Sequence, residues 1–252
     1  MLATSPQLTE LLFEFGCGPL VVGVPQYTEI PSLRHDLPEI GSPFMPSLER
    51  IVRLKPHRVF VDRSVTPHHL SKGLSAAGIE HKSFDLHSLS DLAVLLSNLH
   101  LYCPLASQSE VKRNRIIACL KEILKPRTIQ FRFIVFVWFS PAVLAGRETF
   151  LSQLISGIGG ENALPSLNSK YPQLSREWIM SSKVDIVYIL LQEQGDKAAA
   201  INEVSRLWER DRPRFQFLVG SHFSKLGLRV LREINRFDPL GGEAVPTSCQ
   251  NL

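Results

Sequence analysis

Two stretches of the chain place the same residue types at the same spacing. They are Ser47-Leu-Glu49-Arg-Ile51 and Ser175-Arg-Glu177-Trp-Ile179, both S-x-E-x-I. Each sets a lysine six residues after its glutamate (Lys55, Lys183), and an apolar triplet follows (Val59-Phe60-Val61, Val187-Tyr188-Ile189). A serine before such a run caps a helix, and a carboxylate in the first turn gains roughly 0.3–1 kcal/mol from the helix dipole. The pattern therefore predicts one carboxylate at a helix start in each half. Upstream, Ser5-Pro6 matches Ser140-Pro141, and each is expected to lead into a helix and then a glycine.

Residues suited to catalysis or metal binding do not converge in the same way. Six of the eight histidines lie between His57 and His100, and imidazole is a good zinc ligand. His68 and His69, however, are adjacent on an expected helix and face different directions, and the others are scattered, so no metal site is expected. The glycine fingerprints of dinucleotide and phosphate loops and the G-x-S-x-G elbow are missing. Gly157-Ile-Gly159-Gly160 follows a helix, not a strand, which is the wrong context for a phosphate loop. No catalytic residue is assigned, no catalytic cofactor is implied, and the chain reads as a non-enzyme.

Four cysteines (Cys17, Cys103, Cys119, Cys249) stand far apart with no C-x-x-C pair. This argues against a cysteine zinc site and, in a chain of this length, against a disulfide framework beyond one incidental bridge.

The elements that position the two glutamates alternate. Helices are expected from Pro6 to about Gly16, over 47–54, 65–77 and 88–101, then over 107–124, 149–158, 175–182, 198–208 and 225–237. Strands are expected at 20–24, 59–61, 79–84, 131–139, 186–191 and 215–219. Strand–helix alternation predicts an α/β protein whose mostly parallel sheets are covered on both faces. The doubled motif makes it two Rossmann-like lobes, 1–104 and 128–238. One backbone helix over 105–127 joins them, and 239–252 forms a flexible tail. A cleft between such lobes is a natural ligand site. The basic residues of 107–124 are read as a solvated face. The 252 residues are 44% hydrophobic and 21% charged with a net charge of +4, an ordinary globular balance that does not favour nucleic acid. No apolar run is long enough to span a membrane.

Several segments together resemble the periplasmic cobalamin-binding proteins of ABC importers, within the wider class of receptors with one helical backbone. They are Gly41-Ser-Pro-Phe44-Met-Pro-Ser-Leu-Glu49-Arg-Ile-Val-Arg-Leu-Lys-Pro56, Ser5-Pro6 with Thr9-Glu10-Leu11, Val24-Pro-Gln-Tyr27-Thr, Gly159-Gly-Glu-Asn162 and Tyr171-Pro-Gln-Leu-Ser-Arg-Glu177. The resemblance runs from residue 2 to about 237. It implies a class III periplasmic binding protein: a monomeric, non-spanning carrier that takes a corrinoid and delivers it to a permease dimer. Glu49 and Glu177 match the two glutamates that dock on permease arginines, through directional carboxylate–guanidinium pairs. Tyr27, Phe44 and Tyr171 match aromatic ligand contacts. Asp62, Ser221 and His222 stand where further ligand-facing residues, two of them tryptophans, are expected. Those departures make haem or a ferric siderophore the alternative cargo. A cytoplasmic α/β enzyme or a metal-ion binder is the alternative of another class. The resemblance also implies a periplasmic location. Met1-Leu-Ala-Thr4 gives no signal peptide and only a stub of the expected first strand, so the natural chain is expected to begin further upstream or to have a misassigned start, with a cytoplasmic corrinoid binder as the alternative.

Overall fold

The computed structural model describes residues 1–29, 36–192, 197–208, 212–237 and 246–249. The chain divides into two compact units, Met1–His87 with Asp91–Ile117, and Ser88–Ser90 with Ala118–Leu252.

In the first unit the stub is long enough to pair. Leu2–Ala3 is strand β1, parallel to β4 (Val59–Asp62), with Leu2 beside Val59. The Leu2 amide donates to Arg58 O at 3.0 Å and the Thr4 amide to Phe60 O at 2.9 Å. Helix α1 (Pro6–Glu14) follows at once. Ser5 caps it, its Oγ accepting from the Leu8 amide, and Pro6 sits at the first position, where a missing N–H costs nothing. Gly16 at φ +82° ends it in the left-handed region. Its buried face is Leu8, Leu11, Leu12 and Phe15. Burial of each such side chain contributes roughly 1.5–3 kcal/mol.

Residues 20–24 do not form the expected strand. A single 3₁₀ turn covers Gly18–Leu20, and the segment then makes only isolated bonds, Val22 N to Met1 O and a bridge from Val24 to Glu39. Pro19 and Pro25 bracket the run and have no N–H for a ladder. A small hairpin, β2 (Gly41–Ser42) and β3 (Met45–Pro46), precedes α2 (Leu48–Arg53). Helix α3 (His68–Ala76), β5 (His81–Phe84) and α4 (Leu89–Tyr102) complete the alternation. The sheet order is β1–β4–β5, all parallel.

Helix α5 (Glu110–Ile123) begins after a 3₁₀ stretch, Pro104–Ser109, and the division between units falls within it. Lys112, Arg115 and Lys121 are exposed, as expected of a solvated face, but Arg113 is buried. Its Nη1 donates to Ala106 O at 3.1 Å, satisfying a carbonyl of the preceding turn.

The second unit repeats the topology. Its strands β6 (Phe131–Trp138), β9 (Ile186–Leu191) and β10 (Arg214–Val219) run parallel in the order β6–β9–β10. This matches β1–β4–β5, and the S-x-E-x-I helix precedes the middle strand in both sheets. β6 is nearly continuous in apolar residues because it is central and covered on both faces. Two strands were not anticipated: β7 (Val143–Leu144), antiparallel to β6, and β8 (Gly160–Asn162), parallel to it. Ser140-Pro141 accordingly turns the chain back into β7 and does not open a helix. Helix α6 (Phe150–Ser156) starts later, capped by Thr149. Helices α7 (Arg176–Ser181) and α8 (Lys197–Ser205) fall where expected. The expected helix at 225–237 is broken into α9 (Leu228–Arg232) and a 3₁₀ turn, Ile234–Phe237. Gly227 supplies no side-chain cap, so the helix starts late.

The expectation about cysteines is overturned. All four pair, as Cys17–Cys103 and Cys119–Cys249, with Cα separations of 6.2 and 4.9 Å. Partners 86 and 130 residues apart leave no local signature, and only the fold brings them together. Of the expected flexible tail, 239–245 and 250–252 lie outside the described residues. Thr247–Cys249 is a 3₁₀ turn in which Cys249 is bridged to α5 and Ser248 Oγ donates to Glu122.

Candidate functional site

The two glutamates are presented in the same way. Ser47 Oγ accepts from the Arg50 amide and Ser175 Oγ from the Trp178 amide, each at 3.3 Å, with both serines extended. Glu49 and Glu177 stand in the exposed first turns. Glu49 is 79% exposed and pairs with Arg53 at 2.6 Å, an i,i+4 contact of only about 0.3–0.5 kcal/mol. The Glu177 carboxyl is held below the usual range, first by its own backbone N–H and then by the Ser175 hydroxyl. One turn further on, each helix exposes an apolar side chain, Val52 and Met180. Each unit thus offers a carboxylate beside an apolar residue on one helical face.

In the first unit the structure brings the Tyr27 and Phe44 segments together. The Gln26 amide donates to Gly41 O at 3.0 Å and the Ile40 amide to Val24 O at 2.9 Å. Phe44 lies in the two-residue loop of the β2–β3 hairpin and is 63% exposed. Tyr27 is 73% exposed and sits at φ +65°, a left-handed backbone that a bulky residue rarely adopts. Such strain at an exposed aromatic is typical of a binding loop. Met45, next to Phe44 and 80% exposed, is a further contact candidate. Sequence reading missed it because an isolated methionine in a loop carries no periodic signal.

Asp62 is not at this surface. It is fully buried at the end of β4, where its carboxylate accepts from Gln7 Nε2 at 2.7 Å and from the Ser64 amide and hydroxyl. It closes the turn after the strand and has no face for a ligand. Burial raises its pKa, opposed by the Ser64 and Ser5 hydroxyls, the Ser64 amide and the field of His87. A raised carboxyl pKa means that the native state holds the proton more tightly than the unfolded chain. The stabilisation is complete below the ordinary value of about 3.9 and is lost as pH rises through the folded pKa. Asp62→Asn should therefore raise the melting temperature at pH 7 by a few degrees, and the gain should vanish near pH 3. A melting temperature lowered at pH 7 would show that the ionised carboxylate stabilises the fold.

In the second unit Tyr171 lies on an extended segment paired beside β7. The Gly146 amide donates to Lys170 O at 2.8 Å and the Leu144 amide to Pro172 O at 3.0 Å. Gly146 permits this approach, because a Cβ there would sit 2.8 Å from Lys170 O. Tyr171 is 39% exposed, and burial pushes its phenol pKa up. Ser221 and His222 follow β10 in a short 3₁₀ turn and are half-buried, with the imidazole 4.2 Å from the Phe223 ring centroid. Among the described residues no group of three or more His, Cys, Asp or Glu side chains is arranged to hold a metal ion. Trp138, at the carboxyl end of β6, is 62% exposed and was not anticipated. A cavity of about 380 Å³ lies beside the Tyr171 segment, lined by Arg147, Glu148, Leu164, Lys170 and Pro172.

This is the fold of the class III periplasmic binding proteins. The chain is similar to an ABC transporter substrate-binding protein from Listeria monocytogenes, with a TM-score of 0.73, 20% identity, and 94% of this chain and 96% of that one covered. It is also similar to the periplasmic vitamin B12 binding protein of Vibrio cholerae, with a TM-score of 0.74, 17% identity, and coverage of 94% and 93%. The periplasmic heme binding protein of the same organism matches with a TM-score of 0.72, 20% identity, and coverage of 93% and 95%. In sequence, the vitamin B12-binding protein of Photorhabdus laumondii is 27% identical over 192 residues, 75% of this chain and 70% of the relative. No family model matches the chain.

Proposed function

We propose that this chain is the substrate-binding protein of an ABC importer that captures cobalamin or a related corrinoid and hands it to a permease. The observation that carries the reading is the display of aromatic side chains on loops of this fold: Tyr27 and Phe44 on one unit, Tyr171 on the other. A flat macrocycle is held by apolar and aromatic faces with few polar contacts. The sequence relative named for vitamin B12 supports the cargo. Haem is the second reading. It is favoured by the match to a heme binding protein, on nearly the same TM-score, and by the absence of tryptophan at Asp62 and His222.

Delivery runs through Glu49 and Glu177, with Val52 and Met180 as apolar footings beside them. A partner that offers the same surface twice, as a two-fold permease dimer does, suits two equivalent helices. The chain works as a monomer in the periplasm. Two disulfides support that compartment, because such bonds persist where the environment is oxidising. No helix of the described residues is long and apolar enough to cross a membrane.

The cargo is tested by competition. The chain is saturated with haem, followed through its Soret band, and then challenged with cyanocobalamin. Displacement by cyanocobalamin at comparable concentration is expected. Haem retained against excess cyanocobalamin would make haem the cargo.

A further inference from the structure

Strand β6 carries a bulge whose consequence is chemical. Phe136 pairs with Leu144, and both are buried. In a regular antiparallel ladder Trp138 would then lie opposite Ala142, on the same core-facing side as Phe136, because side chains alternate. The register shifts instead, and Trp138 pairs with Val143. The extra residue turns Trp138 to the opposite face, which is how bulges re-aim side chains beside binding sites. The indole is consequently 62% exposed, and its Nε1 donates to Ser140 O at 3.1 Å, which fixes the ring.

The neighbouring strands continue that face. Val143 bridges Gln173, and bonds from Leu144 to Pro172, Gly146 to Lys170 and Leu174 to Ala142 keep the 170–174 segment in regular antiparallel register. Tyr171, two residues before Gln173, shares its face. Trp138 and Tyr171 therefore lie on one side of a three-strand edge, two strand spacings across and two residues along, or about 12 Å apart, with Val143 beside Trp138 on the middle strand.

We propose that Trp138 is a ligand-contacting residue of this protein and forms, with Val143 and Tyr171, a flat wall for one face of a tetrapyrrole ring. The proposal rests on the macrocycle reading above and adds a residue to it. Trp138 supplies aromatic surface in a chain that has Asp62 and His222 where further tryptophans were expected. A rigid aromatic held by its own hydrogen bond contacts a planar ligand at little entropic cost.

The test is hydroxyl-radical footprinting of the whole chain with and without saturating cyanocobalamin or haem, read at each tryptophan by mass spectrometry. Dissociation constants for Trp138→Ala and Trp138→Phe are measured alongside. Trp138 should be oxidised in the free chain and protected in the complex, while the buried Trp208 stays unreactive throughout. Trp138→Ala should weaken binding by about tenfold with an unchanged melting temperature, and Trp138→Phe should largely retain it. Binding by the wild-type chain with Trp138 still reactive and Trp138→Ala unimpaired would overturn the inference and leave the macrocycle reading standing. Failure of the wild-type chain to bind either tetrapyrrole would remove both.

Discussion

Replacing Cys119 and Cys249 by serine, or Cys17 and Cys103, should cost this protein a large part of its stability. The bridges close segments of 130 and 86 residues. Constraint of the unfolded chain on that scale is worth roughly 4–5 kcal/mol per bridge in the chain-entropy account, and about 2–5 kcal/mol is typical when a native bridge is removed. Whole domains are stable by only about 5–15 kcal/mol. Denaturant midpoints should fall sharply for each double variant, and the wild-type chain in dithiothreitol, which loses both bridges, should unfold at a midpoint below that of either variant. The two bridges act in different places. Cys17–Cys103 joins the turn after α1 to the end of α4, whereas Cys119–Cys249 holds the 246–249 turn on α5. Midpoints unchanged by reduction would mean that the cysteines do not pair in the protein and would remove the support they give to a periplasmic location.

The second large effect concerns delivery. A chain carrying both Glu49→Ala and Glu177→Ala should bind its cargo as tightly as the wild type and fail to support uptake. Neither carboxylate is part of its unit's core, so their loss leaves folding intact. Truncating one partner of a desolvated charge pair costs roughly 2–5 kcal/mol, so losing two should reduce docking by 100-fold or more. Glu177 is the better prepared of the two, since its helix start already favours the ionised form, whereas Glu49 must first release Arg53. Uptake of labelled cobalamin by cells that depend on this chain decides it. Normal uptake with the double variant would place docking elsewhere.

Much of this architecture was legible in the residues. Ser5-Pro6 with Leu8, Leu11, Leu12 and Phe15 announces α1, because capping and a 3.6-residue apolar period act locally. The doubled S-x-E-x-I pointed to two units of one topology, and the equal sheet orders β1–β4–β5 and β6–β9–β10 agree with it. What escaped was non-local. The β7 and β8 strands are two and three residues long and exist only because β6 offers an edge. The disulfide partners are brought together by packing of distant elements. Within the candidate site, Tyr27, Phe44 and Tyr171 came from resemblance and are exposed, while Asp62 proved to be a buried turn-closing carboxylate. Trp138 was hidden because the end of an apolar strand reads as core, and a bulge has no signature at the level of residue types.

Calorimetric titration of the whole chain with cyanocobalamin tests the central claim most directly. The account predicts a saturable isotherm with one macrocycle per chain and a dissociation constant of about 1 µM or tighter, a binding free energy near −8 kcal/mol. A flat isotherm with cyanocobalamin, and again with haem, would contradict it.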